Sequence, residues 1–311
     1  MSKYKVWIDT DAGCDDAQAL LYACKLDSLD IVGVSAVAGN VPVDKTFKNA
    51  RDVLHLANRD DIKVYKGAEK PLIRKPSTAE EYHGLNGVGD VILEESPNVI
   101  EKTPAHEALY QKAKELNGEL IVCTMGPLTN MAVAISNHPD IVKYLKDVII
   151  MGGAVVGGNR TSCAEFNIYA DPEAAETLFK SGVHVTMCGL DATLNLYLSY
   201  SDLDEINVIN NKITNFLDDS CRHIIELVKE TGQKGYCIHD CAPLFYLEYP
   251  EMFKAYDCGI YVETQGSITL GKTVCDLYTD HKWEDRHCTV LMDANREMFV
   301  EKIKEIYQKY N

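Results

Sequence analysis

Four aspartates stand within eight positions, Asp9, Asp11, Asp15 and Asp16, in the stretch WIDTDAGCDDAQAL directly behind an apolar run. Like charges packed this closely repel one another and stay hydrated unless something compensates them. The compensation is a metal ion, a positively charged substrate or water alone. Gly13 permits a tight turn, so carboxylates from the strand end, the loop and the first helical turn can converge on one point. Three or more convergent carboxylate oxygens are hard ligands suited to calcium or magnesium, and no histidine or thiolate pair suggests zinc. A helix N-terminus adds some stabilisation to Asp15 or Asp16, too little to offset several adjacent anions. An EF-hand loop fails, because the twelfth position from Asp9 is Leu20 rather than glutamate. The plain competing reading makes Asp15 an N-cap and leaves the other carboxylates hydrated.

The elements that must position these residues follow from periodicity. YKVWID reads as a strand and DDAQALLYACKL as an amphipathic helix; DIVGVSAVAG and VDKTFKNARDVLHLA repeat the unit. LIVCTMG with PLTNMAVAISN, and DVIIMGG with DPEAAETLFKSG and HVTMCGLD, continue it. Near-continuous apolar strands separated by helices predict an α/β fold, a mostly parallel sheet covered on both faces. Asp171-Pro172 and Thr103-Pro104 read as helix starts. Beyond about residue 200 the pattern turns largely helical, with short strands in CGIYVET and RHCTVLM and a terminal helix. No linker or repeat divides residues 1–311, which predicts one domain. In open parallel sheets ligands bind at the carboxyl ends of strands near a topological switch point. Those ends here carry DTDAGCDD, Gly39-Asn40, TMGPLTN and GGAVVGGN.

Composition narrows the partners. A formal charge of −16 over 311 residues argues against a nucleic-acid backbone, which needs a basic face. No apolar run approaches the roughly 18–20 residues that span a membrane, and no leader is legible, so a cytoplasmic protein is expected. Eleven scattered cysteines without a C-x-x-C pair read as reduced, buried thiols.

Two further segments decide the class. AEFNIYADPEAA carries Glu165 and Asn167 on either side of Phe166, facing one way if the segment is extended. GYCIHDCAP offers His239 and Asp240 ahead of a helix. With D-T-D-x-G-x-D-D-A, V-A-G-N, H-G-x-x-G, G-P-L-T-N and M-G-G, in this order, the chain resembles the inosine-uridine-preferring nucleoside hydrolase family.

That resemblance implies a single-domain, Rossmann-like enzyme, commonly a homodimer or homotetramer, that cleaves ribonucleosides to ribose and free base with bound calcium. By motif, it implies calcium ligands at Asp11, Asp16 and Asp240 and the Met125 carbonyl. It places Asp15, Asn40, Asn159, Glu165 and Asn167 on ribose hydroxyls and His83 on a mobile loop near the base. Asp11 is the expected general base, His239 the expected acid for a leaving purine, and Phe166 is expected to stack near sugar or base. Two loops, around residues 76–90 and 225–240, are expected to close over the base.

Departures from the family pattern are Ala12 for proline, which should loosen the turn, Cys241 for proline, and Asn86 for aspartate. Pyrimidine-selective members carry a glutamine and a tyrosine where an ungapped count gives Leu227 and Thr231 here. A purine or mixed preference is therefore expected. Asn130 is read as a cap on the following helix, outside the site. His138, His184 and His281 have no partners legible in the sequence. A magnesium-dependent phosphatase using Asp9 or Asp11, and a non-catalytic nucleoside- or calcium-binding protein, are the rival readings.

Overall fold

The computed structural model describes residues 3–277 and 287–311, so His281 lies outside the described residues. The strands are β1 (Tyr4–Thr10), β2 (Leu29–Ala36), β3 (Val64–Lys66), β4 (Leu120–Thr124), β5 (Leu145–Met151) and β6 (Val185–Cys188). They continue with β7 (Tyr197–Leu198), β8 (Tyr236–Cys237), β9 (Phe253–Val262), β10 (Thr273–Asp276) and β11 (Cys288–Ala294). One nine-stranded sheet runs in the order β10-β9-β11-β6-β5-β4-β1-β2-β3, and β7 pairs with β8 apart from it. Neighbours from β3 to β11 are parallel; β9 is antiparallel to both β11 and β10.

The unbroken apolar character of the central strands has a direct cause. Val6, Ile8, Ile121 and Cys123 enter one core layer, while Trp7, Leu120 and Val122 enter the other. Successive side chains point to opposite faces, so a strand buried on both sides must be apolar at every position. Leu20, Tyr22 and Tyr307 from the helices Cys14–Ala23 and Arg296–Gln308 complete the first layer. Leu109 and Leu178 from the helices Ala105–Leu116 and Pro172–Phe179 complete the second.

After β1 the chain builds outward through β2 and β3, then returns to place β4, β5 and β6 on the other side of β1. The switch point therefore lies between the carboxyl ends of β1 and β4, where Asp9 and Met125 sit. The largely helical final third is found in the helices Tyr200–Asn207, Lys212–Glu230, Ala242–Glu248 and Arg296–Gln308, although β9, β10 and β11 extend the main sheet.

Asp171 caps the helix Pro172–Phe179 as expected, accepting from the Ala174 N–H at 3.1 Å. Thr103 does not cap. Pro104 occupies the N-cap position of Ala105–Leu116, one residue later than the sequence pattern placed it, and no side chain bonds there. All eleven cysteines are unbridged. Among the described residues no helix is long and apolar enough to cross a membrane.

Two histidines without legible partners have them in space. His138 stacks on Tyr110 at 3.8 Å and reaches Glu107 at 2.8 Å. His184 centres a chain that joins four strands at the amino ends of the sheet. Its Nδ1 lies 2.9 Å from Asp147 Oδ1 and its Nε2 3.1 Å from Thr289 Oγ1, which donates to Asp257 at 3.1 Å. Only the imidazolium satisfies all these groups at once, because both ring nitrogens must then donate. The hydrogen bond to Asp147 raises the His184 pKa above 6.5. The stabilisation is thus fully present below about pH 6.5 and fades as pH rises through the raised native value. His184→Gln should lower the urea midpoint at pH 5.5 by an amount worth about 0.5 kcal/mol, discounted because the ring is 42% exposed. The difference should vanish by pH 9; an equal loss at both pH values would show a packing effect alone.

Candidate active site

The apolar β1 strand delivers Asp9 and Thr10 to the switch point, and the turn Asp11-Ala12-Gly13 leads into the helix Cys14–Ala23. Ala12 takes a left-handed conformation, φ +31°, which proline cannot adopt. The substitution therefore goes with a differently wound turn rather than a looser version of the same one. Asp15 is not the N-cap; Gly13 is, and its N–H donates to Asp16 Oδ2 at 2.9 Å. Thr10 Oγ1 donates to Asp16 Oδ1 at 2.5 Å, and Asn40 Nδ2 to Asp16 Oδ2 at 3.1 Å. Asp16 is thereby fixed by three elements before any ligand arrives.

Asp11 is held differently. The Asn40 N–H donates to its Oδ2 at 2.8 Å, while its Oδ1 is buried with no hydrogen-bond partner. Glycines wall it in. A Cβ at Gly126 would stand 2.8 Å from Oδ1, and one at Gly39 would overlap Oδ2. The oxygens that lie mutually within 4.8 Å are those of Asp15, Asp16 and Asp240, all buried. Asp240, expected as a ligand, is thus in the cluster across 224 residues of sequence from Asp16. Asp15, expected on the sugar, joins it as well. Asp11 adjoins the group through Asp16.

The electrostatics follow from this crowding. Burial, then the charge of Asp16, pushes the Asp11 carboxyl well above its ordinary range. Burial and the charges of Asp15, Asp16 and Asp11 do the same to Asp240, and burial and Asp15 raise Asp16. Buried carboxylates of one sign favour either protons or a cation. An unpartnered buried oxygen on Asp11 and an all-oxygen donor set fit a hard divalent ion.

The remaining expected residues are placed as follows. Glu165 and Asn167 are not extended. Glu165 is the N-cap of the helix Phe166–Ala170, its carboxylate accepting from Asn167 N at 2.9 Å, Ile168 N at 3.2 Å and Gly153 N at 3.0 Å. Burial nonetheless holds its carboxyl up at about 7. Asn167 Nδ2 donates to the Met125 carbonyl at 2.9 Å and to Met151 at 3.1 Å, which ties the helix to the ends of β4 and β5. Asn159 is exposed and accepts from the Phe166 N–H at 2.9 Å; Phe166 is half-buried beneath Arg160.

His83 accepts from the Cys14 N–H at 3.1 Å and lies 4.0 Å from Asp15. Its segment is tied down on three sides. The Ala79 N–H donates to the Asn40 carbonyl at 2.9 Å, Arg160 pairs with Glu81 at 3.1 Å, and His223 Nε2 meets the Glu81 carbonyl at 3.1 Å. The first expected closing segment, 76–90, thus lies against the helix Lys212–Glu230 at His223, just ahead of the second, 225–240. His239 is half-buried, its Nδ1 2.8 Å from Thr193 Oγ1. Burial lowers its pKa against the opposing charge of Asp15.

Sequence reading missed a supporting layer. Asn130 does not cap its helix; it is buried in the first turn of Thr129–Asn137 and donates to Asp9 Oδ1 at 2.7 Å and to the Ala36 carbonyl at 3.2 Å. Its Oδ1 accepts from the Ala68 N–H at 2.8 Å. Ser35, itself bonded by Trp7 Nε1 at 2.8 Å, also donates to Asp9. Through Oδ1, Asp9 therefore braces β1, β2 and the helix after β4, while its Oδ2 is buried with no hydrogen-bond partner. Burial raises its carboxyl to about 7. The only sequence signal was an asparagine in a glycine- and proline-rich turn, which read as a cap.

A doubly covered, mostly parallel sheet with buried carboxylates at its switch point defines an α/β protein with an oxygen-rich ligand site. A family model described as inosine-uridine preferring nucleoside hydrolase matches residues 6–301, and the chain belongs to that family. It is a ribonucleoside hydrolase. The chain is 38% identical over 309 residues to the pyrimidine-specific ribonucleoside hydrolase RihA of Photobacterium profundum, covering 97% of this chain and 98% of that one. RihA of Shigella boydii is 35% identical, with 98% of each covered. Among solved structures, the plant nucleoside hydrolase PpNRh1 superposes with a TM-score of 0.92 at 30% identity, covering 98% and 99% of the two chains. The purine-preferring ribonucleoside hydrolase of Gardnerella vaginalis gives 0.90 at 28%, with the same coverage.

Proposed function

We propose that this enzyme cleaves the N-glycosidic bond of ribonucleosides with calcium held by Asp11, Asp16, Asp240 and the Met125 carbonyl. The observation that carries the reading is Asp11 Oδ1, buried and unpartnered beside a cluster of buried carboxylates. When bound, the ion supplies Lewis acidity and a fixed charge for the sugar diol.

The chain's own residues do the rest. Asp11 accepts the proton of the attacking water as general base. As the bond to the base breaks, positive charge develops on the ring, and carboxylates fixed in advance stabilise it more than they stabilise the neutral substrate. Asp15, Asn40, Asn159, Glu165 and Asn167 orient the ribose, with Phe166 and His83 beside sugar and base. His239 serves the leaving base. Thr193 fixes its ring at Nδ1, and with the pKa lowered a neutral ring carries its proton on Nε2 whenever Thr193 donates. That tautomer gives a purine ring nitrogen a hydrogen-bond donor.

We infer a purine or mixed preference. Leu227 is half-buried and apolar, and the Thr231 hydroxyl is spent on the carbonyls of Leu227 and Val228 at 3.1 and 3.2 Å. Neither offers a base a free polar group. The named relatives point both ways, two pyrimidine-specific and one purine-preferring. The same reading extends to a cytoplasmic homodimer or homotetramer.

Ribose release from inosine and from uridine, before and after chelation and with calcium restored, tests the proposal. Inosine should be cleaved at least as fast as uridine, and both reactions should need the ion. Cleavage of uridine alone would overturn the base preference. Undiminished cleavage after complete stripping would overturn the calcium site.

A further inference from the structure

The loop after β5 has no regular structure, yet its backbone is bonded as fully as that of a strand. The Gly153 N–H donates to Glu165 at 3.0 Å, and the Gly153 carbonyl accepts from the Leu190 N–H at 2.9 Å. The Ala154 N–H donates to Thr273 Oγ1 at 2.9 Å, and the Ala154 carbonyl accepts from Thr273 Oγ1 and Lys272 Nζ, each at 2.8 Å. Asp191 accepts from the Val155 and Val156 N–H groups at 2.6 and 3.1 Å, and Lys272 also donates to the Val155 carbonyl at 2.7 Å. Every backbone donor and acceptor from the Gly153 N–H to the Val156 N–H thus has a partner, and each partner lies outside residues 153–156.

An irregular segment usually bonds its backbone to water and opens easily. This one is gripped by two side chains of opposite charge, Asp191 on the N–H side of Val155 and Lys272 on its carbonyl side. Hydrogen bonds with one ionised partner are about twice as strong as neutral ones. Both charged groups are half-buried, which limits competition from water. Lys272 immediately precedes β10 at the sheet's edge, and Asp191 lies on the helix Leu190–Thr193. A Cβ at Gly189 would stand 2.9 Å from the Gly153 carbonyl oxygen, so the loop packs directly on the start of that helix.

We propose that Lys272 and Asp191 are positioning residues for the sugar side of the site, acting through the Gly153 N–H on the Glu165 carboxylate. The proposal rests on the reading that Glu165 holds the ribose. Two of the N–H groups bonded to Glu165, those of Asn167 and Ile168, belong to the helix it caps and turn with it. The Gly153 N–H comes from a different element and fixes the carboxylate relative to the sheet. The helix that supplies Asp191 ends in Thr193, whose hydroxyl lies 2.8 Å from His239 Nδ1. Sugar side and base side are therefore set against one rigid part.

The test is steady-state cleavage of inosine or uridine, whichever is cleaved faster, by the full chain. Lys272→Met keeps the reach of the side chain but donates to neither carbonyl. Its kcat/KM should fall about tenfold, part of the roughly hundredfold loss that a 1 Å misplacement causes. Lys272→Arg can still donate to both carbonyls and should stay within about threefold of the parent. In a Glu165→Gln background Lys272→Met should cost less than about twofold more, since the group it positions is already gone. Amide exchange at Gly153 and Val155 should quicken in Lys272→Met and Asp191→Asn, while β1 and β4 keep their protection. Losses that multiply in the double variant, a Lys272→Arg as impaired as Lys272→Met, or unchanged exchange would overturn the positioning role and leave the ribose reading intact. An undiminished kcat/KM in Glu165→Gln alone would overturn the ribose reading and this proposal with it.

Discussion

Asp11→Asn should reduce kcat for ribose release by about 10³-fold, the scale of a lost general base. The amide keeps the shape and can still accept from the Asn40 N–H, now 2.8 Å from Oδ2. It can neither take a proton from water nor present a second anionic oxygen. The same change should leave the metal-free protein at least as heat-stable as the parent. It removes a buried charge that Asp16 and Asp15 repel and that burial alone disfavours. A variant that is inactive yet no less stable separates chemistry from folding. Activity within tenfold of the parent would instead assign the base to another group.

Gly39→Ala should weaken calcium binding by about 100-fold, a loss of the size caused by displacing residues that orient a ligand. The added methyl would overlap Asp11 Oδ2 and stand 2.8 Å from Pro127 Cδ. Pro127 is rigid, so Asp11 must turn away and lose its bond to the Asn40 N–H. Overpacking of this kind costs about 1–3 kcal/mol, which the fold survives. Gly182→Ala is the control. It carries backbone strain at φ +85° but has nothing within 4 Å of the new methyl, so calcium affinity should not change. Calorimetric titration of both variants decides the point; equal affinities would remove Gly39 from the cradle.

The parts of the site that were legible are those written within a few residues of one another. The apolar β1 run, the turn at Gly13 and the aspartates around it predicted a strand, a loop and a helix start, and these are found. Asp171 before Pro172 marked a true cap by the same local logic. Illegible were contacts whose partners are distant in sequence. Asn130 reads as a cap from its neighbours and becomes a brace only because Asp9, 121 residues away, is brought beneath it. Glu165 and Asn167 read as extended because a five-residue helix is too short to show periodicity. Its cap, Glu165, is held in turn by the Gly153 N–H from the loop just after β5, a partner not visible from the local sequence. On the sheet's antiparallel edge CGIYVET and RHCTVLM mark strands that are found as β9 and β11, whereas β10, only four residues long, shows no legible pattern.

Asp16 and Asp240 come from opposite halves of the chain and are buried against each other, so neither half of the protein holds the pocket alone. On the proposed calcium reading, the ion binds only a completed sheet. Each tenfold rise in free calcium above the dissociation constant then adds about 1.4 kcal/mol to the native state. The calcium concentration would set how long a molecule survives unfolding and proteolysis as well as how fast it turns over. Mineral supply and protein lifetime would be coupled through a single pair of aspartates.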